Sequence, residues 1–145
     1  MSSEAIATQR ARAARINERA VSVERVDQLV GNTPLVRLQR LGDPDGAPIY
    51  IKMEQLNPSG SMRDRYVAEI LQRSAEAGQT MPGDSVSLAG LDDTALSAAL
   101  LGEQLGLHVT VFAPEDASRR LHELLERLGA RIEWTPPEEG LPGAV

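Results

Sequence analysis

The sequence predicts an α/β fold built on a parallel sheet, and three observations point there. Short apolar stretches alternate with amphipathic helical stretches from Gly31 onward. Three of the helical stretches are followed by a glycine, Gly78, Gly106 and Gly129, the residue that most easily adopts the left-handed conformation ending a helix. Links of helical length between successive strands imply parallel pairing through right-handed crossovers.

Taken in order, residues 1–30 are expected to form an N-terminal amphipathic helical arm. Arg10, Arg12, Arg15, Arg19 and Arg25 are set against Glu4, Glu18, Glu24 and Asp27, and Ala13, Ile16, Ala20 and Val23 leave an apolar stripe. Residues 31–135 form the α/β domain. Within it, Pro34–Leu38 and Ile49–Met53 read as short strands. Ser61–Ala77 reads as a helix with Met62, Tyr66, Val67, Ile70, Leu71 and Ser74 on one side. Ser85–Leu88 is a strand, and Asp92–Leu105 a helix capped by Asp92 or Asp93. His108–Ala113 is a β-branched strand ended by Pro114. Ser118–Leu128 is a helix with Leu121, Leu124, Leu125 and Leu128 on one stripe, and Arg131–Thr135 is the last strand. Residues 136–145 are a Pro/Gly-rich acidic tail.

Composition narrows the function. With 41% hydrophobic and 25% charged residues the chain is globular in character. No apolar run approaches the roughly 20 residues of a membrane span, and the cytoplasm is the expected location. There are no cysteines, and His108 and His122 are too far apart for a tight helical metal pair, so no metal site is expected. A net charge of −6 argues against nucleic-acid binding. Lys52 is the only lysine among fifteen basic residues, so a Schiff base has a single side-chain candidate.

Three stretches carry a resemblance. Gly31-Asn32-Thr33-Pro34-Leu35-Val36-Arg37-Leu38 is the first. Lys52-Met53-Glu54 followed by Asn57-Pro58-Ser59-Gly60-Ser61-Met62-Arg63-Asp64-Arg65 is the second. Pro82-Gly83-Asp84, Phe112 to Arg120 and Leu128-Gly129-Ala130 make up the third. In family order over residues 31–144, they resemble the N-terminal half of the fold-type II pyridoxal-phosphate enzymes, above all the cysteine synthase B branch. The resemblance implies a three-layer parallel-sheet domain like the N-terminal part of those enzymes.

It also implies a dismantled site. The family's junction reads Asn-Pro-Ser/Ala-Gly-Ser-Val/Phe-Lys-Asp-Arg, and its lysine forms the Schiff base; here that position is Arg63. A guanidinium keeps its proton at physiological pH and makes no stable imine, so pyridoxal phosphate is not expected to be bound covalently. Where the family holds the substrate carboxylate, this chain has Ala89-Gly90-Leu91-Asp92-Asp93-Thr94, whose acids would repel one. The family's phosphate-cradling glycine loop lies in a C-terminal half with no counterpart in these residues.

No catalytic residue is therefore expected. The leading expectation is a catalytically inactive pseudo-enzyme acting through protein–protein interaction, as a homo-oligomer or with a full-length relative or other protein. A small-anion sensor is the alternative, with Asn57, Ser59, Ser61, Arg63, Arg65, Asp92, Asp93 and Thr94 around the degenerate site. Half of a split enzyme completed by another chain is the further one.

Overall fold

A computed structural model describes residues 22–43 and 45–137. The greater part of the proposed arm, with Ala13, Ile16 and Ala20, lies outside the described residues, as does the tail from residue 138. Residues 22–30 contain no α-helix, only the single 3-10 turn Val26–Leu29.

The elements follow as β1 (Leu35–Arg37), β2 (Tyr50–Lys52), a 3-10 turn (Glu54–Leu56), α1 (Arg63–Glu76), β3 (Ser85–Ala89), α2 (Asp93–Gln104), β4 (His108–Pro114), α3 (Arg119–Arg127) and β5 (Arg131–Thr135). Strands β3, β4 and β5 form a parallel sheet in that order, with Leu88, Val111 and Ile132 aligned across it. The helical links make this pairing parallel, as the sequence predicts. No helix separates β1 from β2, and these two pair antiparallel as a separate ribbon.

Side-chain alternation decides where the core sits. In β4, Val109, Val111 and Ala113 are buried on one face, and α2 packs there with Ala95, Ala98, Ala99, Leu101 and Gly102 all buried. Small residues let the helix backbone approach closely. A Cβ built on Gly102 would lie 2.9 Å from Val109 Cγ2. Leu125 of α3 and Val67 and Leu71 of α1 complete the cluster.

Two expected apolar stripes divide in the folded chain. On α1, Val67 and Leu71 face the core while Met62, Tyr66 and Ile70 are exposed. On α3, Leu125 is fully buried, Leu121 and Leu128 pack against the core, and Leu124 is exposed. Each helix covers only its lines of contact, α1 with α2 and α3 with α2 and β5, leaving the flanks of a wide stripe in water.

The β1–β2 ribbon is exposed on both faces. Its register places Val36 opposite Ile51, Leu38 bonds Ile49, and Met53 bonds Pro34. Cross-strand neighbours share a face, so one face carries Pro34, Val36, Leu38, Ile49, Ile51 and Met53, all apolar. Among the described residues neither long edge of the ribbon pairs with a further strand.

Candidate functional site

The junction between β2 and α1 is fastened from below by a buried carboxyl group. Asp64, in the first turn of α1, is fully buried. It accepts hydrogen bonds from the Ser59 amide at 2.8 Å and from the Ser59 and Ser97 hydroxyls. One carboxyl group thus holds the Pro58–Gly60 loop onto α2. Ser59 is spent on that task.

Asn57 is also buried and structural. Its Oδ1 accepts the Gly31 amide at 2.9 Å, and its Nδ2 donates to the Glu54 carbonyl and carboxylate. Glu54 is the hub of a second cluster: Arg65 donates to it through Nε at 2.7 Å and Nη2 at 2.9 Å, and the Thr33 hydroxyl through a 2.7 Å bond. The bidentate Arg65 contact, with help from Thr33, holds the Glu54 carboxyl down at about 2. Glu54 is the carboxylate that Arg65 holds.

Arg63 turns elsewhere. Ser61 Oγ accepts its backbone amide at 3.2 Å. Its Nη1 donates to Thr94 Oγ1 at 3.1 Å and to Tyr66 Oη at 3.4 Å, and lies 3.6 Å from Asp92 Oδ2. The Tyr66 hydrogen bond, then the Asp92 charge, raise the Arg63 guanidinium further above its ordinary value. Asp92 caps α2, its Oδ1 accepting the Thr94 and Ala95 amides at 2.7 and 3.3 Å. Asp93 occupies the exposed first turn.

The structure therefore sorts the eight expected site residues into three groups. Arg63, Asp92 and Thr94 meet, with Asp93 and Ser61 at their margin; Asn57 and Arg65 belong with Glu54; Ser59 belongs with Asp64. The two guanidiniums take separate partners, because residues two apart on a helix do not face each other. Thr33, Glu54, Asp64 and Tyr66 complete these networks and were not among the expected site residues. Tyr66 stands three residues after Arg63, a helical spacing that signals contact. The burial of Asp64 has no comparable signal, since an acid in a first turn ordinarily faces water.

Comparison with known proteins assigns the fold its place. A family model described as pyridoxal-phosphate dependent enzyme matches residues 26–144. The chain belongs to that family. Within it, this pyridoxal-phosphate enzyme relative is cysteine-synthase-like. It is 34% identical over 120 residues to the O-acetylserine dependent cystathionine beta-synthase of Bacillus subtilis, covering 83% of this chain and 39% of that protein. It is 32% identical to cysteine synthase B of Salmonella typhimurium, covering 82% of this chain and 39% of the relative. Among solved structures, cystathionine beta-synthase from Bacillus anthracis superposes with a TM-score of 0.72 at 34% identity, over 86% of this chain and 47% of that one. Cysteine synthase from Entamoeba histolytica gives 0.79 at 26% identity, over 87% and 38%. The chain thus spans about two-fifths of the curated relatives it matches.

The family is pyridoxal-phosphate dependent. Tested against a covalently held pyridoxal aldehyde, the groups gathered here do not fit. Arg63 is a guanidinium, and the carboxylates beside it favour its charged form. Lys52 lies on β2 with its ammonium donating to the Thr33 carbonyl. Among the described residues no helix is long and apolar enough to cross a membrane, and no cluster of three metal-ligating side chains occurs.

Proposed function

We propose that this chain is a catalytically inactive, cysteine-synthase-like member of the family that acts through contact with another protein chain. The observation that carries the reading is the β1–β2 ribbon. Its all-apolar face leaves Val36 45%, Ile49 46% and Ile51 46% exposed. Two-stranded ribbons are marginal alone in water, and an open apolar edge strand is a template for pairing. Met62, Tyr66 and Ile70 on α1 add a second exposed apolar stripe. The inactivity follows from Arg63: without a deprotonatable amine at that position, the family's covalent chemistry has no nucleophile.

Light scattering coupled to size-exclusion chromatography tests this, on the chain alone and mixed with a full-length cysteine synthase from the same genome. The expected result is a homodimer or a mixed complex that Val36→Glu and Ile51→Lys each disrupt. A stable monomer that binds no relative would overturn the proposal.

A further inference from the structure

We propose that residues 13–20 dock as a helix, within the same chain, in an open groove between α1 and α2. The groove encloses about 310 Å³. Its floor is Ala68, Leu71 and Ala75 of α1 with Leu101 and Leu105 of α2. Leu71 and Leu101 belong to the buried core, and Ala68 and Leu105 pack against it. An apolar floor continuous with the core gains from further apolar surface laid on it. Arg25 and Asp27, joined by an ion pair at 2.6 Å, line the groove as well, and Glu76 stands exposed at its rim on α1.

Position, shape and charge select this occupant. Arg25 already lines the groove, and Ala20 stands only five residues before it. A segment on so short a link meets the groove at an effective concentration on the order of millimolar or above, which favours it over a second copy. Residues 22–25 are not helical, so the apolar stripe of the arm narrows to Ala13, Ile16 and Ala20. These are spaced three and four apart, as are Ala68, Leu71 and Ala75. Each series sets one large residue between two alanines. Two such faces let the backbones approach closely, with each large side chain resting against the other helix's alanines. On a helix of about 3.6 residues per turn, Arg12 and Arg19 flank that stripe and Glu18 lies opposite it, which brings positive charge to the Glu76 rim. Residues 1–25 precede the stretch that the family model matches, so the contact is particular to this chain. It does not depend on what covers the β1–β2 ribbon.

Paramagnetic broadening of amide NMR signals in the full chain tests this. The chain has no cysteine, so Glu18→Cys takes a single nitroxide on the side of the arm turned away from the groove. The amides of residues 68–76 and 101–105 are expected to lose intensity. Ile16→Asp in the arm is expected to restore them, and so is Ala75→Arg on the exposed side of the groove, which keeps the test open if either variant fails to fold. A mixed sample, with the nitroxide on one copy and the observed amides on another, is expected to leave these signals sharp. Groove amides that stay sharp in the labelled chain would overturn the proposal, as would broadening that survives both substitutions. Broadening of the groove in the mixed sample alone would give the site to a second copy and overturn it equally.

Discussion

Asp64 and Ser97 meet inside the contact between α1 and α2, both fully buried, with the serine hydroxyl donating to the carboxyl Oδ1 at 2.5 Å. The same carboxyl group receives the Ser59 amide and hydroxyl. Asp64→Ala removes that acceptor; the Ser59 and Ser97 hydroxyls, 3.3 Å apart, can still pair with each other, so the Ser59 amide and one hydroxyl proton are orphaned, at about 1–3 kcal/mol each. A loss of about 2–4 kcal/mol is expected from urea unfolding at neutral pH. Ser97→Ala, which removes one donor and leaves Ser59 in place, should cost about 1 kcal/mol.

Gly102→Ala sets two effects against each other. Alanine favours the helix by about 1 kcal/mol, but its Cβ would stand 2.9 Å from Val109 Cγ2 in the interior of the α2–β4 contact. Overpacking of this kind costs about 1–3 kcal/mol, so net destabilisation is expected. Combining it with Val109→Ala should relieve the clash, and a double-mutant cycle should show favourable coupling.

The Glu54–Arg65 contact gives stability a pH dependence. Glu54 is held at about 2 in the folded chain, below its ordinary 4.5. A depressed carboxyl contributes stability that is fully present above the unfolded value and lost as pH falls through the folded one. Wild type should therefore lose more of its urea midpoint between about pH 4.5 and 2 than Glu54→Gln does. Parallel curves for the two proteins through that window would show that Glu54 is not the group responsible.

The two acids at the start of α2 are not equivalent. Asp92 accepts the Thr94 and Ala95 amides, so Asp92→Ala should cost about 1 kcal/mol. Asp93 in the first turn acts through the helix dipole and at longer range on the Arg63 charge, and Asp93→Ala should cost about 0.3–1 kcal/mol, the smaller share of it at high salt. Thermal melts in low and high salt separate the two.

The parallel sheet was legible in the sequence because each helix between β3 and β5 ends on a glycine and each strand is a short stretch with apolar residues at alternate or successive positions. The capping of α2 was legible for a similar local reason: an aspartate just before a helical stretch has amides within reach. What escaped the sequence depends on how elements pack. Arg63 and Thr94 are 31 residues apart and meet only because α1 lies against α2. The exposure of Met62, Tyr66 and Ile70 follows from which edge of α1 rests on that neighbour. Asp64 reads as a solvated first-turn acid, and only the folded loop brings Ser59 and Ser97 to it. The separation of Arg65 from Arg63 was open to helical geometry, but the partner Glu54 sits eleven residues upstream in a 3-10 turn.

The central claim is that the Arg63 junction offers no amine for the family's covalent chemistry. Its most direct measurement is incubation of the folded chain with pyridoxal phosphate, borohydride reduction and mapping of the trapped adduct by mass spectrometry. The expected result is no Schiff-base absorbance band, with substoichiometric labelling confined to Lys52 and the N-terminal amine. A stoichiometric adduct at Lys52, with a saturable absorbance band, would contradict it by showing that the β2 lysine supplies the amine that Arg63 cannot.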